Sequence, residues 1–481
     1  MGMTLDELLI HTPTSPTYHP LLHRWSPNEE ASPALILEPL TERDVAHALR
    51  HATSNSLPVA VVAGGHSFLG ASSAAGGVHV DLRRLMRRAR VANESFGADG
   101  VLTVEGGASV DDVAAACVAR GVGISLPAVK DLGFFGWALG GGAGWGMGVE
   151  GFVVDAWESA RVVLASGEAV TASRDENPDL FWALRGAGYN FGVVTSLTLR
   201  VGGVPGGKVF YAELFFPPPA FAALFAAVET YAATLQGEED TLALAYLSAD
   251  DKGAPGETMQ AILYFHGADE AEARRRFAPI FAVQPHLVGG RCGLERIHVA
   301  CDAVEPLLPR TRRYADGTLF ASVAYEAWRP VIERVRAWVG VDDARRKGTA
   351  FFFGVYNWRK TLSRHGDPRF ESAWPDRSRL PPAGEQSWRD FALYISTDKP
   401  EEEDEAIRVS KEIVSLVRAK QEEVLGIEKG SFEWPVYPNG SLLPGTTGAY
   451  VFKDNYPRLQ KIKEKYDPGN VFHKKHPIEL P

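Results

Sequence analysis

A chain of 481 residues, 45% hydrophobic and 23% charged, can form two or more structural units with cores of their own. Its 50 basic and 60 acidic residues leave a net charge of −10, which argues against broad binding to nucleic acid or to an anionic membrane. The cysteines Cys117, Cys292 and Cys301 are too few and scattered for a disulfide framework or a zinc cluster, and no apolar run is long enough to span a bilayer.

The opening residues, MGMTLDELLIHTPTSP, lack a basic stretch followed by an apolar one, so the expectation is a cytoplasmic enzyme, or a secreted one if a signal has been removed. Ala34–Leu37 reads as a strand. Thr41–Thr53 reads as a helix, with Thr41 as N-cap and Asp44 three residues on. Next comes the strand Pro58–Val62, which runs into the turn Ala63-Gly64-Gly65 and then His66-Ser67. Two consecutive glycines let backbone N–H groups approach a ligand closely, and such a row can cradle an anion. His66 stands beside whatever the turn holds.

Val78–Leu82 is a second strand. The run Arg83–Arg90 reads as a solvated segment rather than a nucleic-acid patch. Val101–Glu105 is a strand closed by Gly106-Gly107, and Ser109–Arg120 a helix capped by Ser109 and Asp112. The stretch Gly133–Gly151 is the most glycine-dense in the chain. Phe134, Phe135, Trp137, Leu139 and Trp145 interleave with the glycines, which suits a flat apolar ligand lying on backbone and indole. Val162–Thr171 is a hairpin, Pro178–Leu184 a short helix, Arg185–Gly192 a third glycine turn and Val193–Val201 an alternating strand.

Gly202–Gly207 is the clearest linker. Beyond it, Val209–Phe216, Leu242–Leu247, Met259–Phe265, Ala350–Trp358 and Phe391–Ser396 read as strands. Helices are expected at Pro219–Leu235, Asp269–Phe281, Pro330–Val339 (with Pro330 at the first helical position) and Glu401–Leu425. This texture suits an antiparallel sheet covered by helices on one face. Phe351, Phe353 and Val355 alternate on one side of their strand, with Phe352 and Tyr356 on the other. One side should line a pocket, and the pattern does not say which. The tail returns to glycine, aromatics and proline, with a short helix at Tyr456–Tyr466.

Several motifs lead nowhere. Gly146-x-Gly148-x-x-Gly151 is followed by no helix, so its dinucleotide context fails. Gly202–Lys208 resembles a P-loop, but Val209 stands where Ser or Thr must hold magnesium. No H-E-x-x-H and no paired C-x-x-C is present, so no metal is expected. Asn93 and Asn439 match the N-glycosylation pattern, which carries little weight without a signal peptide.

Five blocks together resemble the berberine-bridge-enzyme-like FAD-linked oxidases of the vanillyl-alcohol-oxidase superfamily. They are AGGHSFLGASSAAGG (63–77), GFFGWALGGGAGWG (133–146), VVDAWESARVVLASGEAV (153–170), NPDLFWALRGAGYNFGVVT (177–195) and YVFKDNYPRLQKIKEKYDPGNVF (450–472). The resemblance implies an α+β chain in three parts. These are a PCMH-type FAD-binding domain over 1–201, a substrate-binding domain over 202–430, and a segment over 431–481 that returns to the FAD domain.

It further implies FAD contacts at Ala63, Gly64, Gly65, His66 and Ser67, at Val129, Lys130 and Asp131, and at Gly133, Gly136, Trp137, Gly140 and Gly141. Gly192, Val194, Asn439 and Asn455 complete that set, and Trp137 is expected beside the pyrimidine end of the ring. His66 takes the place of the histidine bonded to the flavin 8α-methyl. Many members carry a cysteine at the position of Val129, so a single covalent attachment is expected. Val62 replaces a frequent basic residue, which leaves the pyrophosphate to backbone N–H groups. Tyr437, in Tyr437-Pro438-Asn439, matches a family tyrosine that often serves as base. The implied reaction takes a hydride from a small alcohol, phenol or amine of secondary metabolism and passes the electrons to oxygen. An oxidative cyclase or a carbohydrate oxidase is the alternative.

Overall fold

The computed structural model describes residues 9–481 except 94, 235–239, 250–254, 304–309, 347, 365, 380 and 383–387. Half of the opening segment on which the signal-peptide reading rests, and Leu235 at the end of an expected helix, lie outside the described residues.

The described residues form three sheets. In the first, β1 (Leu9–His11), β2 (Leu35–Glu38), β3 (Val59–Val62) and β4 (Val78–Asp81) lie in the order β1-β2-β4-β3. β4 runs parallel to both β2 and β3. The helix Glu42–Ser54 covers this sheet, with Val45, Ala48, Leu49 and Ala52 packed on Val59, Val78 and Val80. The expected cap holds its first turn: Thr41 accepts from Asp44 N–H, and the Asp44 carboxylate accepts from Thr41 N–H.

The second sheet contains β5 (Ala89–Ala92), β6 (Gly100–Glu105), β8 (Trp157–Val163), β9 (Ala169–Ser173) and β10 (Val193–Gly203), in the order β5-β6-β10-β8-β9. The short β7 (Val122–Gly123) pairs with the end of β10. Its helix, Val110–Val118, has the expected Ser109/Asp112 box. The arginine run is solvated but not idle. Arg83, Arg84, Arg87 and Arg88 pair with Asp81, Glu38, Asp112 and Glu105.

The third sheet is antiparallel throughout, as expected. Its strands are β11 (Val209–Phe216), β12 (Asp240–Ala249), β13 (Pro255–Phe265), β14 (Leu287–Glu295), β15 (Arg312–Phe320), β16 (Ala350–Val355) and β17 (Arg389–Thr397), in the order β14-β11-β13-β12-β16-β17-β15. The helices Phe221–Thr234, Tyr325–Val339 and Glu403–Val424 cover one face, where Phe351, Phe353 and Val355 are buried.

Both edge strands, β14 and β15, are absent from the sequence reading. β14 is glycine-rich and largely exposed, and β15 carries Arg312, Arg313 and Asp316, so neither shows an apolar alternation. Pro330 also differs from expectation. It is the sixth residue of its helix, which starts at Tyr325 because Trp328 packs on Phe320 and Phe353. That burial outweighs the backbone hydrogen bond the proline cannot make.

Candidate active site: a cleft between three sheets and the tail

The turn after β3 and the loop before Gly133 meet backbone to backbone. A Cβ on Gly64 would stand 2.1 Å from Gly133 N, and one on Gly133 would stand 2.4 Å from Gly64 N. Gly65 has φ +80°, which a side chain rarely tolerates. These contacts form the floor of a cavity of about 390 Å³. Ala63, Gly64, Gly65, His66, Ser67, Val129, Gly133, Gly136, Trp137, Gly192 and Val194 line it from the first two sheets and their loops. Ala243, Ile262, Phe352, Tyr356, Asp390 and Tyr394 line it from the third, and Tyr437, Asn439 and Phe472–Lys475 from the tail. The open question of strand β16 is thereby answered: Phe352 and Tyr356 take the cavity side.

His66 stacks on Trp25, with centroids 5.5 Å apart and planes at 21°, and its Nε2 lies 3.4 Å from Asp131 Oδ1. Tyr437 Oη accepts from Ala143 N–H at 3.0 Å and from Asn439 Nδ2 at 3.3 Å, while Trp374 packs on its ring at 4.9 Å. Burial, reinforced by the charge of Asp390, pushes the Tyr437 phenol up to about 12 despite these donors. Burial also raises Asp390 to about 7, against the backbone N–H groups of Gly354 and of Asp390 itself. Its Oδ1 is buried without a hydrogen-bond partner. Tyr394 is pushed up to about 12, and Tyr356 well above the ordinary phenol range.

At the tail, Lys475 Nζ donates to Tyr189 Oη and to Asn439 Oδ1, each at 2.9 Å, and sits 4.0 Å over the Tyr189 ring. Burial lowers it to about 7. Asn439 Nδ2 donates to Trp137 O at 2.7 Å, so the glycosylation pattern there falls on a side chain engaged within the cleft.

Five of the expected contact residues stand outside the lining. Lys130 pairs with Asp302 at 2.9 Å, and Asp131 reaches the cavity only through His66. Gly140 lies beneath Asn439 and Tyr189, and Gly141 beneath Trp374 and Tyr437. Asn455 donates to Ser372 O and Ala373 O, a backbone tie in place of the expected contact with the ring. Lys474 and Lys475 also line the cavity, and the sequence reading named neither.

The sequence reading also missed Asp390, Lys475, Tyr189 and Trp374. For Asp390 a signal existed: it shares strand parity with Ala392 and Tyr394, so an acid occupied the face opposite Phe391 and Leu393. Among the described residues no group of His, Cys, Asp and Glu suits a metal ion, and no helix is long and apolar enough to cross a membrane.

The cleft fits a large planar cofactor that carries phosphates. Glycines keep its floor free of side chains, and a Cβ on Gly144 would also collide, 2.1 Å from Leu126 O. The fold and cleft are those of a PCMH-type flavoprotein. An FAD-binding-domain family model matches residues 33–173, and a "Berberine and berberine like" model matches 442–479. The FAD-linked oxidoreductase pgmH of Aspergillus terreus is 30% identical, over 96% of this chain and 91% of that protein. The fold is similar to that of Physcomitrella patens BBE-like 1 (TM-score 0.78, 18% identity, 99% and 97% coverage). It is also similar to that of glucooligosaccharide oxidase from Acremonium strictum (TM-score 0.74, 20% identity, 99% and 98% coverage). The chain belongs to the berberine-bridge-enzyme-like FAD-linked oxidoreductases and is an enzyme.

Proposed function

We propose that the protein is an oxidase for a small, largely aromatic alcohol or phenol, with Asp390 as general base and Tyr437 as a hydrogen-bond donor. The observation that carries this is Asp390 itself: a carboxylate in the cavity wall, raised to about 7, with an unpartnered oxygen. A base with a pKa near working pH combines the right protonation state with enough driving force. Tyr437, pushed to about 12, keeps its proton at that pH and can donate to the substrate oxygen. The earlier expectation of Tyr437 as base therefore gives way to Asp390.

FAD, when bound, accepts the hydride and hands its electrons to dioxygen, giving hydrogen peroxide. The chain's residues do the rest. Asp390 takes the proton from the substrate hydroxyl. Phe352, Tyr356 and Tyr394 present aromatic surface to the substrate and keep water away. Backbone groups of Ala63–Ser67, with Lys474, hold the phosphates. His66 tethers the flavin, and Val129, which has no thiol, leaves that tether single. In support, His66 and Val129 both line the cavity, and glucooligosaccharide oxidase from Acremonium strictum carries a 6-S-cysteinyl, 8α-N1-histidyl FAD.

The test is anaerobic addition of a panel of aromatic alcohols and phenols. The expected result is bleaching of the flavin, with peroxide on re-aeration, both lost in Asp390→Asn. Bleaching by oligosaccharides alone would transfer the assignment to a carbohydrate oxidase. Conversion of a substrate without net bleaching or peroxide would transfer it to a cyclase.

A further inference from the structure

His66 and Asp131 come from two turns that Gly64 and Gly133 pin together. The Asp131 segment has little freedom of its own. Lys130 O and Leu132 O accept from Asp111 and Val110 N–H, and Lys130 pairs with Asp302. The imidazole is held between the Trp25 ring and the Asp131 carboxylate, with its side chain 10% exposed.

We propose that Asp131 is the positioning residue for flavin attachment: its carboxylate keeps the imidazole proton on Nε2, so that Nδ1 is the nitrogen that bonds to the cofactor. This rests on the reading of His66 as the tether. A neutral imidazole has one N–H and one lone pair, and the partner of one nitrogen fixes the role of the other. The Asp131 carboxylate oxygen, 3.4 Å from Nε2, can only accept, so a proton drawn to Nε2 leaves the lone pair on Nδ1.

The chemistry balances as follows. The Nδ1 lone pair forms a bond to the flavin 8α carbon. One C–H bond of that methyl group breaks, its hydrogen leaves as a proton and its electron pair passes to the ring system. Dioxygen takes the pair, with that proton and one from solvent, as hydrogen peroxide. The imidazole keeps its Nε2 proton and becomes a cation, which the Asp131 carboxylate then pairs.

The test compares wild type, Asp131→Asn, Asp131→Ala and Asp131→Glu, each loaded with FAD. Flavin that stays with the acid-precipitated protein is measured against total flavin in the native protein, alongside Tm. The expected result is a several-fold loss of acid-stable flavin in Asp131→Asn and Asp131→Ala, with total flavin and Tm retained and attachment restored in Asp131→Glu. Wild-type attachment in Asp131→Ala would overturn the proposal. So would a parallel fall of total flavin and Tm in Asp131→Asn, which marks a merely structural residue. Release of all flavin from the wild type would instead refute the tether itself.

Discussion

The Lys463 ammonium and the Asp467 carboxylate lie 2.7 Å apart, and neither side chain is exposed at all. Lys463 also donates to Asn190 O and Phe472 O, while Asp467 accepts from Val471 and Phe472 N–H. One buried pair thus turns the chain from the helix Tyr456–Tyr466 into Phe472–Lys475, which line the cavity. Breaking such a pair leaves a buried charge uncompensated and costs roughly 3–5 kcal/mol. Asp467→Asn should therefore lower the denaturation midpoint sharply and release flavin, and Lys463→Met with Asp467→Leu should not restore it, because that pair leaves Asn190 O, Phe472 O and the Val471 and Phe472 N–H groups unpartnered.

Asp390 sets a pH window. Its pKa is raised to about 7, so flavin reduction should rise with pH through about 7 and level off above it. The same shift affects stability. The folded state favours the protonated acid, so this group weakens the fold as pH climbs from about 4 to about 7. Asp390→Asn should abolish the kinetic limb and raise Tm at pH 8 but not at pH 4, the gain in stability being at most ~4 kcal/mol, with each pKa unit worth about 1.4 kcal/mol. A limb that survives in the variant would exclude Asp390 as the base.

Burial lowers Lys475 to about 7, so below that pH it places a charge in the cavity against neutral partners, the Tyr189 hydroxyl and the Asn439 carbonyl oxygen. A cation beside a flavin favours added electrons. Lys475→Met should lower the two-electron midpoint potential by roughly 30–60 mV, since about 30 mV corresponds to about 1.4 kcal/mol for a two-electron couple. Dye-equilibrated reduction reads this without any substrate.

Gly140 supports that same cluster. A Cβ there would stand 2.1 Å from both Asn439 Oδ1 and Tyr189 Oη. Gly140→Ala should displace both groups, free Lys475 and reduce flavin content several-fold, as absorbance of the purified protein would show.

Much of the framework was legible in the chain because its signals are local. Thr41 with Asp44 and Ser109 with Asp112 cap helices within four residues, and glycine pairs close strands at Gly64-Gly65 and Gly106-Gly107. The five family blocks carried the cofactor and the two ends of its cleft. The edge strands β14 and β15 were hidden because pairing with β11 and β17 makes them strands, not their own periodicity.

The sequence by itself determined that two faces alternate along Ala350–Tyr356 and that His66 follows a glycine turn. Tertiary structure alone decided the chemistry of the walls. Alternation defines two faces of a strand, but the helices Phe221–Thr234 and Tyr325–Val339 choose which one is covered, and so leave Phe352, Tyr356 and Asp390 to the cavity. Asp390 and Lys475 have ordinary identities in the chain. Burial from elements distant in sequence moves both toward 7, and no local pattern encodes that desolvation.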